Sequence, residues 1–111
     1  MYHGFHKVDQ NHSDIVEVFR SYPGVSVFSI AAVGDGVPDL VVGMDGWTIL
    51  VEVKVGRKKL NALQVSWHDS WQGTPVVIIR SPGDVHSLVR NTRMARRVFG
   101  DPSPRAEDTS A

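Results

Sequence analysis

Asp45-Gly46 stands between two β-type runs, residues 38–44 and 47–54, and it constrains the chain more than any other feature. An Asp-Gly pair in that setting is a two-residue hairpin signal, because glycine readily supplies the positive φ of a type I′ turn. Once the turn is placed, the register follows. Met44 faces Trp47, Gly43 faces Thr48, Val42 faces Ile49, Val41 faces Leu50 and Leu40 faces Val51. The next pair is Asp39 with Glu52. Directly opposite residues share a face, with Cβ atoms roughly 4.5–5.5 Å apart. Lys54 lies two residues beyond Glu52, on the same face and about 7 Å along the strand. Two carboxylates and one amine therefore converge on one patch. Like charges in direct opposition are destabilising, and a divalent cation would offset the repulsion.

The rest of the chain gives that hairpin a setting. Its 111 residues suffice for one domain with one core. Twelve basic and twelve acidic residues argue against a bulk polyanion binder but leave room for a local basic patch. The absence of cysteine excludes disulfides, thiolate nucleophiles and Cys-ligated zinc. No apolar run approaches the ~20 residues of a membrane span, and residues 1–7 lack the apolar core of a signal peptide. The expectation is a soluble, cytoplasmic protein with no membrane partner.

Residues 1–12 are polar and without period, and read as a loose arm; His3 and His6 lack a third ligand. Ser13 or Asn11 is a candidate cap for a first helix, whose inward face is Ile15, Val18, Phe19 and Tyr22. Pro23-Gly24 stops it. Residues 25–30 form a strand, and Gly34-Asp35-Gly36 lies in the loop leading to Pro38. In the second hairpin strand Trp47, Ile49, Val51, Val53 and Val55 point one way, and Thr48, Leu50, Glu52 and Lys54 the other. A lone buried charge is costly, so the second face must be partly open or paired. Residues 60–72 form a second helix with Leu60, Leu63, Trp67 and Trp71 on one arc, and Gln64 falls within that arc, able to reach the charged patch. Residues 76–80 form a short apolar strand reached through that helix, a β-α-β crossover with parallel pairing. Ser81-Pro82-Gly83-Asp84 resets the chain before a last helix over 85–97. Residues 13–99 are thus one domain, and residues 100–111 a disordered tail. The expected class is α/β, in the order αβββαβα, with a mixed sheet whose central hairpin is flanked by helices.

Asp39 and Glu52 are hard oxygen ligands suited to Mg²⁺ or Mn²⁺, and the backbone carbonyl of Val53 completes the protein's share. Lys54 would orient or deprotonate an attacking water, or neutralise charge on a phosphorane. The bland alternative is a surface ion pair worth ~0–1 kcal/mol.

Pro38-Asp39, twelve intervening residues and Glu52-Val53-Lys54 resemble the PD-(D/E)xK nuclease signature. The element order is similar to the restriction-endonuclease-like core. Ala31-Ala32-Val33-Gly34, Gly36-x-Pro38-Asp39-Leu40, Val51-Glu52-Val53-Lys54, Gln64-x-x-Trp67-His68 and residues 76–81 resemble the compact virus-type replication-repair nucleases, often stand-alone phage proteins. That likeness covers roughly residues 14–90. It implies metal-dependent cleavage of DNA phosphodiesters in a bacterial or phage-infected cell. It further implies Asp39 and Glu52 as metal ligands, Lys54 as the catalytic amine and Gln64 as a site-supporting residue. Some compact members act as homodimers on branched DNA, so Holliday-junction resolution is an implied subtype. One departure concerns the acid that many members carry on the first helix: Glu17 lies opposite the apolar arc, Asp14 to its side and His12 nearer the inner edge.

DNA contact is expected from Arg57, Lys58 and Lys59, with Arg90, Arg93, Arg96 and Arg97 as a further cluster. No motif reads base edges, so binding would follow shape and backbone charge. A chain this small has little surface for gripping a duplex, and a symmetric homodimer would supply more. The alternative is a non-catalytic nucleic-acid-binding module that keeps the fold.

Overall fold

A computed structural model describes the backbone of residues 3–100 and the side chains of residues 11–100. The elements are α1 (His3–Arg20), β1 (Val25–Ser29), β2 (Leu40–Met44), β3 (Trp47–Val53), α2 (Ala62–Ser70), β4 (Val77–Ile79) and α3 (Pro82–Phe99), with a 3₁₀ turn at Ala31–Val33. The order αβββαβα is the expected one. The sheet runs β1-β2-β3-β4, antiparallel up to β3 and parallel between β3 and β4. The hairpin register from Met44–Trp47 to Leu40–Val51 is as expected. Asp45 and Gly46 both have positive φ, 52° and 94°, as a type I′ turn requires.

One face of the sheet carries the core. Val27, Leu40, Val42, Met44, Ile49, Val51 and Ile79 pack against Ile15 and Phe19 of α1 and Val85 and Val89 of α3. Each such side chain, fully buried, contributes about 1.5–3 kcal/mol of transfer free energy. The expected stripe on α1 is therefore correct, with Val18 and Tyr22 packed at its margin.

Several element boundaries differ from expectation, among them α2, which spans 62–70 and not 60–72. α1 begins at His3, so residues 3–12 continue the helix instead of forming a loose arm, and Asn11 and Ser13 lie inside it. Propagating a helix already anchored at Ile15 and Phe19 costs far less than nucleating one, so no apolar period is needed. α3 starts at Pro82: Ser81 is its N-cap, accepting from the Asp84 N–H, and proline occupies the first turn. β4 is a sheet edge, and of its three residues only Ile79 is fully buried. Of the expected tail over 100–111, Gly100 is the C-cap of α3, its N–H donating to the Arg96 carbonyl, and residues 101–111 lie outside the described residues.

α3 also pins the far end of the hairpin. Arg93 Nε donates to Asp45 Oδ2 at 2.9 Å, and its Nη2 donates to the Pro23 carbonyl at 2.5 Å. One planar guanidinium thus ties α3 to the β2–β3 turn and to the α1–β1 link. Arg93→Ala is expected to lower stability by about 1–2 kcal/mol, and lysine, lacking the rigid fork, should recover little of it. A shift of the urea midpoint at constant slope would measure this.

Candidate functional site

Asp39 is fixed immediately before β2 begins. Pro38 before it is fully buried. The Asp39 carbonyl accepts from the Ile30 N–H at 2.8 Å, and its own N–H donates to the Val51 carbonyl at 3.0 Å. That last bond is one residue out of the hairpin register, so Asp39 is not the simple cross-strand partner of Glu52 that an unbroken ladder gives. The cause is the side chain: Asp39 Oδ2 accepts from the Val53 N–H at 2.8 Å, a backbone donor beyond the last paired residue of β2. In extended backbone the N–H and C=O of one residue leave on the same edge, so the Val53 carbonyl faces the Asp39 side. The two carboxyls still share one site, since Asp39 and Glu52 line the same cavity and Asp39 acts on the Glu52 carboxyl.

Glu52 is 1% exposed. Burial pushes its carboxyl from an ordinary 4.5 up to about 8, and the neighbouring Asp39 carboxyl pushes the same way, while Lys54 opposes them. A carboxyl so placed holds a proton near neutrality unless another cation takes its place.

α2 supplies the cover. Its expected inward arc of Leu60, Leu63, Trp67 and Trp71 is rotated by about one position. Leu63 is 61% exposed and Trp71 42%, and no residue of α2 is fully buried. The half-buried face is Gln64, Trp67 and His68, spaced i, i+3, i+4. The rotation has a polar cause, since this face meets Glu52 and not the apolar core. Gln64 has two roles. Its Oε1 accepts from the Asn61 N–H at 2.9 Å, and Asn61 Oδ1 accepts from the Gln64 N–H at 2.9 Å, closing a capping box. Its Nε2 then donates to Glu52 Oε2 at 3.2 Å. Trp67 and Trp71 stack with ring centroids 5.0 Å apart, and the Trp71 indole donates to the Thr74 carbonyl, so this pair lies at the surface and outside the core.

Asp39, Glu52, Val53, Lys54 and Gln64 line one cavity of about 190 Å³. Asn11 and His12 of α1 line it too, while Glu17 is exposed and neither Asp14 nor Glu17 lines it. Lys54 is 8% exposed, and its backbone N–H donates to the Ile79 carbonyl at 3.0 Å, extending the parallel ladder. Arg57, Lys58 and Lys59 are exposed, and Lys58 reaches the cavity wall. Arg80 braces that basic turn: its Nη1 donates to the Gly56 and Lys58 carbonyls at 2.8 Å each. The arginines of α3 lie elsewhere. Arg93, Arg96 and Arg97 gather around Asp45, at the turn end of β3, about 20 Å from Glu52 at the rise of a strand.

Sequence reasoning gave no site role to His68 or Arg80, both of which stand within the stretches that carry the resemblance, and took Asn11 only as a candidate helix cap. The available signal for His68 was its i+4 spacing from Gln64, which puts both on one helical face.

No protein-family model matches this chain, and no curated protein does either. Among the described residues no group of three or more His, Cys, Asp or Glu side chains is arranged to hold a metal ion, and no helix is long and apolar enough to cross a membrane. The donors present do suit a hard cation that keeps most of its waters: two carboxyls and one carbonyl around one cavity. Glu52 Oε1 is buried without a hydrogen-bond partner among the described residues, an orphaned acceptor that such an ion would satisfy.

Proposed function

We propose that this chain is a Mg²⁺- or Mn²⁺-dependent DNA endonuclease with a restriction-endonuclease-like core. One observation carries the reading: two carboxyls lining one cavity at the open end of a hairpin, one of them fully buried, with a nearly buried lysine in the same wall. A fold has no structural need for this arrangement, because burying Glu52 against Asp39 costs stability. The likeness of Pro38-Asp39 and Glu52-Val53-Lys54 to the PD-(D/E)xK signature supports the same conclusion.

Asp39, Glu52 and the Val53 carbonyl would hold the cation, which when bound supplies Lewis acidity and a more acidic water. The chain's own groups do the rest. Lys54 projects its ammonium where negative charge gathers on the phosphoryl oxygens as water adds and the P–O ester bond breaks. Gln64 keeps the Glu52 carboxylate from swinging away. Arg57, Lys58 and Lys59 present exposed positive charge beside the cavity for the phosphate backbone. Apolar side chains left exposed on the Glu52 side of the sheet, Phe28 and Leu63 among them, support a homodimer as part of this reading.

The test is cleavage of linear duplex, single-stranded, flap, supercoiled and four-way-junction DNA with Mg²⁺ and with Mn²⁺. Cutting that chelator stops, and that Asp39→Asn and Lys54→Ala each reduce by about 10³-fold or more while remaining folded, is the expected result. Full activity in either variant would remove these residues from the site. Metal-independent DNA binding with no cleavage of any substrate would favour a binding module.

A further inference from the structure

We infer that His68 is a positioning residue: from α2 it fixes the Glu52 carboxylate in the one orientation that serves a cation. The inference rests on the metal-dependent reading above. The two oxygens of Glu52 are faced by two different side chains of the same helix. Gln64 Nε2 donates to Oε2 at 3.2 Å. His68 Nε2 stands 3.5 Å from Oε1, with its side chain 14% exposed. Neither Oε1 nor His68 Nε2 has a hydrogen-bond partner among the described residues, although both atoms are buried. A buried acceptor facing a buried ring nitrogen, each without another partner, is a pair placed for one hydrogen bond between α2 and the acid.

The geometry of α2 makes the pair a clamp. Residues four apart lie one above the other on a helix, so Gln64 and His68 address one carboxylate from successive turns. The capping box holds Gln64 from behind. The ring of Trp67 lies edge-on to that of His68, with centroids 6.3 Å apart and planes at 80°, which limits how far the imidazole can turn. Two donors on one carboxylate leave its remaining lone pairs directed toward Asp39 and the cavity. Histidine and carboxylate partnered in this way govern how strongly a metal is held, and loss of such a partner typically weakens metal binding by about 10–100-fold.

Calorimetric titration of Mn²⁺ into the intact protein tests this, using wild type, His68→Phe, His68→Gln and Glu52→Gln, with unfolding in chelator measured alongside. His68→Phe is expected to weaken Mn²⁺ binding about 10–100-fold with little change in chelator stability. His68→Gln, whose amide can reach Oε1, should restore most of the affinity. His68→Asn, polar but too short to reach, should behave like the phenylalanine variant and replaces it if that variant fails to fold. Wild-type affinity in His68→Phe or His68→Asn, beside lost binding in Glu52→Gln, would overturn the role of His68 and leave the metal site standing. Undiminished binding in Glu52→Gln would overturn the metal reading, and the clamp with it.

Discussion

Glu52→Gln is expected to abolish DNA cleavage, by about 10³-fold or more, and yet to make the metal-free protein more stable. The reason is the proton that Glu52 holds. Its carboxyl is raised from 4.5 to about 8 in the fold, by burial first and by Asp39 second. A group with a raised folded-state pKa contributes stability that is fully present below its unfolded value and is lost as pH rises through its folded value. The metal-free wild type should therefore lose stability steadily between about pH 4.5 and pH 8. Glutamine cannot ionise, keeps an acceptor for Gln64 and can donate to Asp39, so that slope should flatten and the melting temperature at pH 8 should rise by several degrees. Divalent metal competes with the same proton, so added Mn²⁺ should restore wild-type stability most strongly at the upper end of this range. Melting curves from pH 4.5 to 9, with chelator and with Mn²⁺, read all of this; a Glu52→Gln slope as steep as wild type would assign the titration elsewhere.

Gly36→Ala should be the most damaging small substitution in the loop before Asp39. Gly36 has φ +84°, and a Cβ there would stand 2.2 Å from the Leu63 carbonyl oxygen and 3.0 Å from the Gln64 nitrogen. Both are backbone atoms, so no side chain can move aside. Either the loop lifts from α2 or α2 shifts, and both change the relation between Asp39 and Gln64. The expected cost is about 3 kcal/mol or more, from left-handed strain plus the clash. Residual folded protein should cleave about 10²-fold more slowly, because a displacement near 1 Å has that effect. Gly56→Ala is the control: its φ is +53° and nothing lies within 4 Å of the added carbon. It should cost only about 1–2 kcal/mol. Equal losses in the two variants, measured by urea unfolding, would show that strain and not the α2 contact decides the outcome.

The hairpin was legible in the sequence because two independent signals agree, the Asp45-Gly46 turn chemistry and the alternation of Ile49, Val51 and Val53. The crossover to β4 was legible from an unbroken apolar run following a helix. The face of α2 was not. A helical wheel ranks positions by apolarity, whereas this helix turns Gln64 and His68 inward to meet a buried acid and leaves Leu63 and Trp71 toward solvent. The slip at Asp39 was hidden for a related reason. Ladder rules assume that backbone groups pair with backbone, and here a carboxylate takes the Val53 N–H instead. The start of α3 could have been read directly, since Ser81-Pro82 is a cap followed by a first-turn proline.

Position 64 answers to two demands that no other common side chain meets together. The helix start requires an acceptor of a certain length, and the buried acid requires a donor at the same side-chain end. Glutamate would keep the first and set a third carboxyl against Glu52. Asparagine falls one methylene short, and leucine or lysine offers no acceptor. The amide is also oriented without ambiguity, because reversing it would turn its oxygen toward Glu52 and its NH₂ toward the Asn61 N–H. The residue that closes α2 thereby carries the state of the helix to the acid: when the first turn of α2 frays, Glu52 loses its amide partner in the same event.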